Sequence, residues 1–181
     1  MEDAICGLEV LTNMNRNLWG STSFKDDPRV MRFAVNEHKK LADKLSVLLA
    51  DDPDASALLI FQPLTSPIIS RGAGKNVLGL ENDVKNGPGM FTLMVVQAGS
   101  KENLDIARPL FRKAEKAIDN YARSLKASWR WTYLNYVDFS RDPITNYGPD
   151  NVEFLQKVAK AYDPQGVFQD LRISGHKVPR R

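Results

Sequence analysis

The sequence predicts an α+β fold of the ferredoxin-like kind, βαββαβ, with a four-stranded antiparallel sheet, both long helices on one face and a C-terminal helical and irregular extension. Three observations predict it. Two long segments repeat apolar residues every three or four positions, and four shorter ones are rich in β-branched and aromatic residues. These six segments run strand, helix, strand, strand, helix, strand along the chain. At 181 residues, 43% of them hydrophobic and 26% charged, the chain has the size and balance of one globular domain, with a core over about 17–140 and the extension over about 141–181.

The first strand is expected at 18–25 (LWGSTSFK), where aromatic and hydroxyl side chains alternate. Asp26-Asp27-Pro28 then opens a helix, with carboxylates beside the N-terminal amides and Pro in the first turn. Met31, Ala34, His38, Leu41, Leu45 and Leu48 form its apolar stripe, and Asp51-Asp52-Pro53-Asp54 ends it. Residues 57–64 (ALLIFQPL) form the second strand. The Pro-, Gly- and Asn-rich stretch 65–89 reads as a long connection, and 90–98 (MFTLMVVQA) as the third strand. The second helix runs from about 101 to 126 on Leu104, Ala107, Phe111, Ala114, Ile118, Tyr121 and Leu125. Residues 129–139 (WRWTYLNYVDF) are the fourth strand, followed by turns, a short helix near 150–162 and an irregular tail. The middle strands are apolar on both sides, Leu58 and Ile60 against Leu59 and Phe61. The second sheet face is therefore expected to be covered by another copy, giving a sheet-to-sheet homodimer.

Composition excludes several classes. A net charge of +3, with Arg172, Lys177, Arg180 and Arg181 crowded in the tail, does not make the basic face that nucleic acid needs. Two histidines and one cysteine in no local cluster argue against a metal site. No stretch reaches the roughly 20 apolar residues of a membrane span, and the acidic start has no signal-type apolar run. Cys6, the one cysteine, fits a reducing compartment, so a cytoplasmic location is expected. The stretch SRGAGKNVLGL (70–80) resembles a phosphate loop only superficially. Ile69 stands where a P-loop needs Gly and Asn76 where it needs Ser or Thr, and Val77 replaces the third small residue of a dinucleotide fingerprint.

Longer motifs carry a resemblance. Tyr133-Leu134-Asn135-Tyr136-Val137-Asp138, Asp142-Pro143, Tyr147-Gly148, Tyr162-Asp163-Pro164 and Gly166-Val167-Phe168-Gln169 resemble, in order, the end of berberine-bridge-enzyme-like FAD-linked oxidoreductases of fungi. Thr22 to Pro28, Phe61-Gln62-Pro63-Leu64 and Asn76-Val77-Leu78-Gly79-Leu80 are similar to upstream motifs of the same proteins. The resemblance covers nearly all of this chain but only about the last two-fifths of such an enzyme. It implies a substrate-facing sheet without the flavin-binding half, so no cofactor is expected unless a separate FAD-binding chain is present. The sequence departs from the family pattern at Ala73 and Lys75 and at Ser174-Gly175-His176-Lys177.

The resemblance implies that Tyr133 acts as a base and that Asn135 supports it. A phenol, with an ordinary pKa of about 10, does so only where neighbours favour phenolate; as a neutral donor it can steady a developing enolate. Strand alternation places Trp131, Tyr133 and Asn135 on one face and Tyr136 on the other. His38 is a candidate from the residues alone, a group titrating near neutrality on an apolar stripe. Lys25, Gln62 and Gln97 are polar ends of apolar strands suited to orienting a carbonyl, and Arg71 sits in a loop that can close over a ligand. Three readings follow: a cofactor-free acid/base enzyme of secondary metabolism acting on a polyketide-like small molecule, the substrate-side piece of an FAD-linked oxidoreductase, or a non-catalytic binding module.

Overall fold

The computed structural model describes residues 16–85, 87–137, 140–172 and 174–180; Cys6 and Asp138 lie outside the described residues. Strands β1 (Asn17–Gly20), β2 (Ser23–Lys25), β3 (Ser56–Leu64) and β4 (Gly89–Gln97) form one antiparallel sheet. Central β4 pairs β3 along one edge and both β1 and β2 along the other. The fold class is α+β, with four antiparallel strands.

The first predicted strand is present but divided. Gly20 pairs with Met94 and Ser23 with Phe91, so β1 and β2 lie in one register. Between them the Thr92 hydroxyl accepts the Thr22 N–H at 3.0 Å, taking the place of a ladder carbonyl. The fourth predicted strand is a correction. Ser128 bridges Phe24 and the Trp129 N–H reaches the Ser23 carbonyl at 2.9 Å, but no further ladder follows. With β2 only three residues long, the chain runs out of strand partner. From Trp131 it becomes an irregular aromatic arm, closed by a 3-10 turn at Leu134–Tyr136.

Helices α1 (Pro28–Leu48) and α4 (Lys101–Ser124) pack together on one sheet face. Between them and the sheet lie Leu18, Ala34, Leu41, Leu45, Met94, Val96, Phe111 and Ile118. Asp27 caps α1 by accepting the Arg29 N–H at 2.9 Å, with Pro28 in the first turn. The Arg29 guanidinium lies 2.6 Å from the same carboxylate, and these hydrogen bonds pull the Asp27 pKa down to about 2. Its stabilisation is therefore complete above the ordinary carboxylate value of 3.8 and lost as pH falls towards 2. Replacing Asp27 with Ala should cost about 1 kcal/mol in urea unfolding at neutral pH, and less in acid. Ser100 caps α4 through the Asn103 N–H at 3.1 Å.

The expected long connection contains two short helices, α2 (Ser66–Gly72) and α3 (Leu80–Val84). Ile69 and Leu80 pack with Phe91, Trp129, Trp131, Ile144 and Tyr147 in a second apolar cluster. Phe91 projects from the sheet face opposite α1 and α4, since alternation along β4 puts Met94 and Val96 on the helix side. Part of the second face is thus covered by the chain's own connection and aromatic arm. Helices α5 (Pro149–Tyr162) and α6 (Val167–Asp170) complete the chain. No helix among the described residues is long and apolar enough to cross a membrane.

Candidate active site

The candidate site is built where the aromatic arm crosses β4. Phe91 offers its ring to Trp131 at 5.7 Å and 86° and to Tyr133 at 5.4 Å and 63°. Trp131 and Tyr133 stack at 5.6 Å, and Tyr136 meets Tyr133 edge-on at 4.7 Å and 85°. Trp19 of β1 extends the group by stacking on Tyr136. Such offset and T-shaped pairs match the quadrupoles of the rings and fix their orientations.

Local hydrogen bonds set the arm. The Asp83 carboxylate accepts the Trp131 N–H at 3.2 Å, replacing a strand partner. Asn146 Nδ2 donates to the Thr132 hydroxyl at 3.2 Å, and the Tyr136 N–H closes on the Tyr133 carbonyl at 3.0 Å. That last turn brings Tyr136, expected on the opposite side, onto the same platform as Tyr133. His176 in the tail lies 3.3 Å from the Val137 carbonyl.

The chemical centre is one pair. Asn135 Nδ2 donates to the Tyr133 hydroxyl oxygen at 3.0 Å. With Asn135 donating to its oxygen, the Tyr133 hydroxyl keeps its own proton free to donate to another group. The half-buried Tyr133 hydroxyl therefore stands beside an apolar surface suited to a planar ring. Tyr147, absent from the sequence candidates, is 5% exposed in the same cluster. Burial, and then the nearby Tyr133, push its phenol above the ordinary value, which keeps it a neutral donor. Tyr147-Gly148 was visible as part of a family-like motif, but nothing in its local sequence shows that it reaches Tyr133.

The other candidates divide. Gln62 pairs with Phe91 across β3 and β4, so both side chains share the platform face, and Lys25 lies on that face opposite Gly89. Gln97, at the far end of β4, stands about 20 Å along the strand from Phe91 and does not join them. Arg71 is exposed at the end of α2 and has no contact with the platform. His38 belongs to the helix layer, where burial lowers its pKa and a backbone hydrogen bond to Ala57 opposes the shift. It is separated from Tyr133 by the sheet, which removes it from the site. Its Nε2 is buried without a hydrogen-bond partner.

A lowered folded-state pKa gives His38 a stability contribution that is whole above its ordinary 6.5 and declines as pH falls through the folded value. Wild-type protein should therefore lose stability as pH falls below the ordinary value of 6.5, and His38→Leu should flatten that slope in paired thermal melts. An unchanged slope would place the acid sensitivity elsewhere.

The chain is 32% identical over 182 residues to the FAD-dependent monooxygenase drtC of Aspergillus calidoustus, covering 99% of this chain and 34% of that protein. It is 32% identical over 174 residues to the FAD-dependent monooxygenase sdcF of Emericella nidulans, covering 91% and 34%. Both relatives are named as FAD-dependent monooxygenases and both are fungal. A third, tpcD of Cochliobolus heterostrophus, is 29% identical over 170 residues. The chain spans about a third of the length of these relatives. No family model and no solved structure matches it.

The glycine-rich stretch at 72–79 does not form a pyrophosphate cradle for FAD. A dinucleotide cradle needs glycines whose missing side chains let the pyrophosphate approach the backbone. Here a Cβ on Gly72 would meet the Asn76 amide at 2.7 Å, and one on Gly79 would strike the Tyr147 carbonyl. Those glycines make room for protein. Gly74 has nothing within 4 Å, as expected of an exposed turn. Among the described residues no group of three His, Cys, Asp or Glu side chains is arranged to hold a metal.

Proposed function

We propose that this chain carries a substrate-side acid/base site of fungal secondary metabolism, of the berberine-bridge type. Tyr133 exchanges a proton with a planar, polyketide-like small molecule lying against Trp131, Phe91 and Tyr136. The observation that carries this reading is the Asn135-to-Tyr133 hydrogen bond at the solvent-facing edge of the aromatic cluster. Asn135 holds the phenolic oxygen in place, the rings orient the substrate, and Gln62 supplies a carbonyl partner from β3. The chemistry is proton transfer leading to cyclisation, isomerisation or carbon–carbon cleavage, and no step in it draws on a flavin. Two copies pair through the remainder of the second sheet face, where Ile60 is 36% exposed.

A second reading has its own support, the 32% identity to FAD-dependent monooxygenases across nearly the whole chain. There the same platform presents substrate to a flavin held outside the described residues.

The test is to titrate the purified, full chain with a hydroxyanthraquinone while following tryptophan fluorescence, after an absorbance scan for flavin and a mass measurement in solution. Saturable quenching of a colourless dimer, weakened by Tyr136→Ala, supports the first reading. Quenching that requires added FAD and a second chain overturns it in favour of the second. A colourless protein that never responds leaves the non-catalytic module standing.

A further inference from the structure

A second feature lies beyond the Tyr133–Asn135 pair. Where the end of α4 meets Ser23 and the Ser128–Thr132 segment, a cleft of about 440 Å³ opens. Arg123, Lys126, Arg130 and Arg141 line it, against one lining carboxylate, Asp119. Arg123 is held by Asp119 at 2.8 Å, and Arg141 by the buried Glu115 at 2.8 Å. Lys126 and Arg130 have no ion pair among the described residues.

Surplus cations at a surface are commonly just solvated, so the backbone beneath Lys126 matters. Helix α4 ends in a Schellman turn, with the Lys126 N–H on the Arg123 carbonyl and the Ala127 N–H on the Ala122 carbonyl, both at 2.9 Å. That turn requires a left-handed residue, usually glycine. Lys126 occupies it at φ 54°, the one non-glycine residue with positive φ among the described residues. A long cationic side chain thus stands where backbone sterics favour glycine, a kind of strain that concentrates at ligand sites. A third observation agrees. Ser23, which lines the cleft and is 2% exposed, has a hydroxyl without a partner, and lining residues Trp129 and Trp131 each bury an unpartnered indole N–H.

We propose that this cleft binds a phosphate-bearing small molecule. Lys126 and Arg130 supply two unpaired positive charges, which match the near-dianionic phosphate monoester at neutral pH. Ser23 supplies a hydroxyl donor, and the paired Arg123 and Arg141 frame the opening. Lysine acts as a point charge and arginine as a planar fork, so the pair grips and orients one phosphoryl group. The site depends on neither the proton-transfer reading nor Tyr133.

The test is calorimetric titration of the full chain with inorganic phosphate, pyrophosphate and citrate at low salt, with thermal melts alongside. Saturable phosphate or pyrophosphate binding is expected, stronger than citrate binding, and weakened roughly tenfold or more by Arg130→Ala and by Lys126→Gly. Lys126→Gly should also raise the melting temperature of the ligand-free protein, because it relieves the left-handed turn. Loss of binding in a more stable protein cannot be misfolding. Tyr133→Phe should bind phosphate as wild type does, which separates this site from the other. Equal response to all three anions, or wild-type affinity in Lys126→Gly, would overturn the proposal.

Discussion

Replacing Phe111 with Ala should lower the unfolding free energy by about 3–5 kcal/mol, the range for deleting a fully buried aromatic ring. Phe111 is 0% exposed, between α4 and the sheet, among Leu18, Met94, Val96 and Ile118. Its ring also lies against the backbone of β1. A Cβ on Gly20 would stand 2.8 Å from Phe111 Cζ, closer than real contacts allow. The rigid backbone there cannot collapse into the vacated space, so the cavity term stays large. Against a typical total of about 5–15 kcal/mol, the loss should be visible as a markedly earlier urea transition with unchanged slope. Gly20→Ala alone should cost about 1–3 kcal/mol through overpacking. In the Phe111→Ala background it should cost less, because the ring is gone and only the Glu115 carboxylate, at 2.9 Å, still crowds the new methyl. Additive losses would show that the two residues do not meet.

Tyr133→Phe should slow substrate conversion by about 10²–10⁴-fold, the range for removing a positioned proton-transfer group. The ring contacts with Phe91, Trp131 and Tyr136 survive that change, so stability and probe binding should barely move. Asn135→Ala should reduce the rate by roughly tenfold, the worth of one neutral hydrogen bond. As Asn135 acts through Tyr133, its removal should lower kcat with KM little changed and should have little further effect in the Tyr133→Phe background, a pattern that a purely structural role would not produce.

Much of this architecture was legible before any coordinates. The stripes of α1 and α4 and the Asp26-Asp27-Pro28 start of α1 are local signals, and the helices stand where they predict. Strands β3 and β4 are long, apolar and bounded by turn residues, so they too were readable. The aromatic arm was not. Its composition reports burial, which is true, but a strand also needs a partner, and a sequence does not state that β2 stops at Lys25. Helices α2 and α3 were hidden because Pro67, Gly72 and Gly79 read as loop punctuation, although Pro in a first turn and Gly at a helix boundary also delimit helices. At the site, Tyr133 and Asn135 were readable from a family-like motif, and the structure joins them by a hydrogen bond. His38 was misplaced because periodicity shows that a residue faces the sheet, while Tyr133 lies beyond it.

The most direct test of the central claim is the metabolite profile of the producing strain with Tyr133→Phe in the chromosomal copy, matched for protein level. Loss of the mature product is expected, with accumulation of one precursor that differs by proton transfer and bond reorganisation. A product profile identical to wild type would contradict it.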